Sequence, residues 1–81
     1  TDTAHAEEIE VTIESVRTSI DAALGTARTA LLFRELRGGA IPDVEVYLAL
    51  LFMAHRGQLT LRQDELFGDL WIAPTLQFRA D

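Results

Sequence analysis

A chain of 81 residues makes one domain and no more, and its lack of cysteine excludes both a disulfide framework and a thiolate zinc site. Thirteen acidic against seven basic residues leave a net charge of −6, the wrong sign for nonspecific attachment to nucleic acid or to an anionic membrane. Hydrophobic residues at 48% and charged residues at 25% are those of a soluble globular domain, with no apolar run near the roughly 18 residues that span a bilayer.

Residues 1–8 are polar and acidic and read as a flexible lead-in. They lack an initiator methionine and the basic start of a signal peptide, so an excised domain or a processed fragment is expected, in a cytosolic setting. Ile9, Val11 and Ile13 alternate with Glu10 and Thr12, the period of a short strand, and Thr12 suits the cap of a helix that follows. From Ile13 the period changes. Ile13, Val16, Ile20, Ala23 and Leu24 fall three and four apart, which predicts a helix over 13–24 with Gly25 at its end.

Leu31, Leu32, Phe33 and Leu36 predict an extended entry and a short second helix at about 33–37, ended by Gly38-Gly39. Pro42, Asp43 and Glu45 are the residues of a helix start, and His55, Arg56 and Gly57 those of a helix end. After Gly57 the period is two. Leu59 and Leu61 alternate with Thr60 and Arg62, and Leu70 and Ile72 flank Trp71, giving a hairpin closed by a polar loop and stopped at Pro74. Residues 75–81 read as a tail without firm structure. Strand, helix, short helix, helix and hairpin in that order make an α+β winged helix over residues 9–74, with three helices and a two- or three-stranded antiparallel wing sheet.

The helix over 43–55 carries the functional expectation. In a helix-turn-helix that reads DNA it would enter the major groove with cationic or amide side chains. Here its amino end carries Asp43 and Glu45, and its middle offers only Tyr47 as a hydrogen-bonding side chain. It is apolar on two sides instead. One stripe is Val44, Tyr47, Leu48 and Leu51, and the other is Val46, Leu50 and Met53 with Ala49 beside it. A domain this small is expected to bury one stripe, and Val46, Leu50 and Met53 are taken as the partner-binding one, against the reading that hairpin and first helix cover both.

Trp71, pointed outward by the pleat, is either an interface anchor or a ring stacked on Arg62. Leu66 and Phe67 at the wing tip either insert into a partner or, for Phe67, fold under the wing as core. Asp64, Glu65 and Asp69 lack the twelve-residue pattern of a calcium loop. His5 lies in the lead-in, and His55 suits a helix end. Gly38-Gly39 lacks the Lys-Ser/Thr of a phosphate loop. No nucleophile has a matching base in a recognisable motif. No catalytic group, metal or cofactor is expected.

Two stretches, Tyr47-Leu48-Ala49-Leu50-Leu51-Phe52-Met53 and Arg62-Gln63-Asp64-Glu65-Leu66-Phe67-Gly68-Asp69-Leu70, resemble a helix and a hairpin of segregation and condensation protein A, the bacterial kleisin, at matching separation. Tyr47 stands where that family usually has phenylalanine, Phe52 where an acidic residue is common and Leu66 where proline is usual. Phe52 leaves open which side of the helix meets a partner. The resemblance implies a non-catalytic carboxy-terminal winged helix that binds the ATPase head of an SMC protein and closes the SMC–kleisin complex of chromosome condensation and segregation. It implies a cytoplasmic, nucleoid-associated protein. Segregation and condensation protein B would be bound by other parts of the full-length chain, and DNA and membrane would not be bound by this domain. The alternatives are the DNA-binding winged helix of a transcription regulator, or a homodimer through the apolar stripe.

Overall fold

Ile9, Ile13, Val16 and Ile20 are spaced four, three and four apart, and in the computed structural model they share one side of a single helix, α1 (Asp2–Leu24). The model describes residues 2–66 and 68–79, with side-chain surroundings from residue 8 onward. The expected strand at Ile9–Ile13 is therefore helix, as is the described part of the expected lead-in. Val11 decides between the two periods: it is 67% exposed while Ile13 is fully buried. The flanking Ala and Glu residues favour helix over strand. Thr12 does not cap anything, since its hydroxyl donates back to the Glu8 carbonyl at 3.0 Å, as hydroxyls inside helices do.

After Gly25 come the two-residue strand β1 (Leu31–Leu32), a 3-10 turn (Phe33–Leu36) and helix α2 (Asp43–His55). The short second helix of the sequence reading is this 3-10 turn. Gly57 ends α2 at φ +77°, a conformation only glycine adopts without strain. Its N–H donates to the Ala54 carbonyl at 3.0 Å and that of Gln58 to the Met53 carbonyl at 2.9 Å. Together they form the paired bonds of a Schellman stop.

Strands β2 (Leu59–Gln63) and β3 (Leu70–Pro74) then form the wing, and β3 lies between β1 and β2 in one antiparallel sheet. The register sets Leu31 and Leu61 opposite Ile72 on the inner face, and Leu32 and Arg62 opposite Trp71 on the outer.

The core lies between α1, α2 and the sheet's inner face. Ile13, Val16 and Ile20 pack with Val46, Ala49, Leu50 and Met53, and Leu31, Leu59 and Ile72 close it from the sheet side. The carboxy-terminal segment joins it, contrary to expectation. Phe78 is buried, the Arg17 guanidinium donates to its carbonyl and sits 5.5 Å from its ring centre, and Arg79 pairs with Asp21 at 2.5 Å. Burial of Phe78 offsets the entropy of ordering this stretch. Gln58, the one buried polar residue of the described chain, takes Arg17 on its side-chain oxygen at 3.3 Å.

The turn before α2 is held by charge. Both oxygens of Glu35 accept from Arg28, at 2.6 and 2.7 Å, and one also takes the Leu32 N–H at 2.8 Å. The Arg28 hydrogen bonds, then the Leu32 N–H, hold the Glu35 carboxyl at about 2, from an ordinary value of 4.5. A depressed carboxylate stabilises the fold fully above its unfolded value and loses that contribution as pH falls to its folded one. The difference in melting temperature between the native chain and Glu35→Gln should thus be constant above about pH 5 and shrink between about pH 4.5 and 2, as read by circular dichroism. In the core, Leu50→Ala should cost about 2–5 kcal/mol, measured by urea denaturation.

Candidate partner-binding face

Because α2 is apolar on two sides, packing must choose one, and it buries the very stripe that was expected at the interface. Val46, Leu50 and Met53 are sealed in the core with Ala49, so none of the three is available to a partner in the folded domain. Val44, Tyr47, Leu48, Leu51 and Phe52 form the outward side, with Val44 73% exposed. The inward stripe has no polar atom to satisfy, and Ala49 lets α1 come close. The outward stripe carries the Tyr47 hydroxyl and continues to His55, polar tips that remain wet while their apolar bodies lie along the surface. Those tips were the sequence signal for the choice. Burying Leu50 and Met53 while leaving Leu48 and Leu51 out fits a small domain that can cover one stripe only.

The outer face has structured flanks. On the wing side, Tyr47 meets Phe33 edge to face, with ring centres 6.1 Å apart at 81°. On the other side, Leu48 and Phe52 slope into a groove of about 680 Å³ against Ile9 and Thr12 of α1. Glu8, Glu10, Glu45 and Arg56 complete its lining. Arg56 is clamped to both oxygens of Glu10, which ties the end of α2 to α1 and holds the Glu10 carboxyl below the usual carboxylate range.

The other expected contact residues stand apart from this face. Leu66 is 82% exposed at the wing tip, and Phe67 lies outside the described residues. Trp71 points outward at 38% exposure, directly across β2 from Arg62. Arg62 turns to Asp64 at 3.2 Å, and the cation–ring contact among the described residues is Arg17 on Phe78.

All seven arginines have a carboxylate in reach. The pairs beyond those already given are Arg17 with Glu14 at 3.3 Å, Arg34 with Asp69 at 3.8 Å and Arg37 with Asp43 at 3.0 Å. Exposed pairs of this kind add little stability, but they leave the chain's few cations neutralised within the domain. At the start of α2, Glu45 adds a carboxylate where a DNA-reading helix would approach phosphates. Among the described residues, no three His, Asp or Glu side chains gather as a metal site, and no helix is long and apolar enough to cross a membrane.

No family model matches the chain, and no curated protein matches it in sequence. A solved structure does: a crystal structure of an SMC head bound to the C-winged helix domain of ScpA, at 25% identity and a TM-score of 0.70, over 83% of this chain and 99% of the matched one. A chain of this size cannot cover nearly all of an ATPase head, so the matched chain is the small winged helix. The resemblance read from residues 47–53 and 62–70 thus has its counterpart in three dimensions, and this chain is similar over most of its length to the C-winged helix domain of ScpA.

Proposed function

We propose that this domain is the kleisin side of an SMC–kleisin contact: it docks on the ATPase head of an SMC protein through the outer face of α2 and so closes the complex used in chromosome condensation and segregation. The observation that carries the reading is the outward stripe Val44, Tyr47, Leu48, Leu51 and Phe52, an apolar helix face left open by a domain whose arginines are all paired. The similar ScpA winged helix was solved on an SMC head, which supports the same class of partner here. A standard interface of about 800 Å² per side would cover the stripe and its flanks.

In this reading the domain supplies shape and apolar surface, and nucleotide hydrolysis belongs wholly to the partner. Contacts with segregation and condensation protein B belong to other parts of a longer kleisin chain. The protein works in the cytoplasm at the nucleoid without itself gripping DNA. Leu66, Phe67 and Trp71 remain proposed contacts apart from the α2 face, and Leu66 and Trp71 are exposed.

The test pairs two substitutions on one helix. Leu48→Asp should leave the melting temperature close to native, as surface changes within about 0.5 kcal/mol do. It should weaken binding to an SMC head by at least about 2 kcal/mol, the loss of a central anchor, in calorimetry. Leu50→Asp should unfold the chain. Native-strength binding by a folded Leu48→Asp variant would reject this face. So would tight, steeply salt-dependent binding of the native domain to duplex DNA.

A further inference from the structure

We infer that the groove between α1 and α2 is a charge-selective subsite of the docking face, and that it receives a partner segment presenting an apolar side chain next to a lysine or arginine. The inference rests on the docking reading, because Leu48 belongs to both the outer face and the groove floor. A partner seated on Val44 and Leu48 must therefore cover the groove mouth.

The floor calls for an apolar group. Ile9 from α1 faces Leu48 and Phe52 from α2, and the volume of about 680 Å³ is that of pockets that enclose whole ligands. The rim calls for a cation. Glu8, Glu10 and Glu45 border the groove with Arg56; Arg56 is taken up by Glu10, and no arginine of the described residues pairs with Glu45. Arg56 cannot serve an incoming group, because both its terminal nitrogens are committed to Glu10.

Glu45 carries the inference furthest. It lies in the first turn of α2, where the helix dipole favours an acidic side chain, and has no ion-pair partner among the described residues. Docking over Val44 and Leu48, which lie on either side of it, takes Glu45 out of water. A carboxylate desolvated without a partner opposes association, whereas one met by a charge-assisted donor favours it. An anionic or wholly apolar partner surface therefore fits the face badly, and a basic-apolar one fits it well.

The experiment measures affinity of the 81-residue chain for an SMC head at low and moderate salt, for the native sequence and for Glu45→Gln, Glu45→Arg, Phe52→Ala and Leu48→Asp. The expected result is a loss of about tenfold for Glu45→Gln together with a flatter salt dependence. Glu45→Arg should lose more than Glu45→Gln, and Phe52→Ala about tenfold with the salt dependence intact. All variants should keep a native melting curve, since all three positions are exposed. If Leu48→Asp abolishes binding while the Glu45 and Phe52 variants match the native chain in affinity and salt slope, the subsite is overturned and the docking face stands. If Leu48→Asp binds like the native chain, the docking face falls and the subsite with it.

Discussion

One helix of thirteen residues sets the organisation of this domain, because it is apolar on two opposite sides and its own protein can cover only one. The packing of Val46, Leu50 and Met53 against Ile13, Val16 and Ile20 makes the core, and the same event turns Val44, Leu48 and Leu51 out to solvent. Stability and candidate function are thus two faces of one element. A change that strengthened the core by rotating α2 would spoil the surface, and a polar outer stripe would cost the fold little. That the outer stripe is apolar at all argues that something other than folding uses it.

The remaining elements fix the orientation of α2. The Schellman stop at Gly57 and the bonds of Gln58 and Thr75 hold its carboxyl end against the wing, with the Thr75 hydroxyl 2.6 Å from the Gly57 carbonyl. The Arg56–Glu10 clamp holds the same end against α1. The Arg28–Glu35 pair shapes the turn that feeds the helix, and Arg37 reaches Asp43 in its first turn. Each pair is worth little alone, but together they pin a short helix at both ends.

Much of this was legible in the sequence, and the misses share a cause. The stops at Gly25 and Gly57, the start at Pro42 and the period-two hairpin are local chemistry, and local chemistry survives into the fold. Ile9, Val11 and Ile13 fit two periods at once. The helix-favouring Ala and Glu residues around them and a second helix to receive Ile9 and Ile13, which is a tertiary fact, chose between them. Residues 75–79 lack periodicity, so Phe78 gave no sign that it would seal the core until Arg17 was seen beneath it. The inward side of α2 was ambiguous by hydrophobicity and was marked only by the polar ends of Tyr47 and His55 on the outward one.

The pairing of every arginine also bears on self-association. An exposed apolar stripe invites a second copy, and a two-fold dimer would bring each patch against its own image. The acidic border would then meet the identical acidic border, with no uncommitted guanidinium on either side to bridge them. Repulsion between like carboxylates opposes that closure. The acidic border thus weighs against a symmetric pairing and in favour of a surface of the opposite sign.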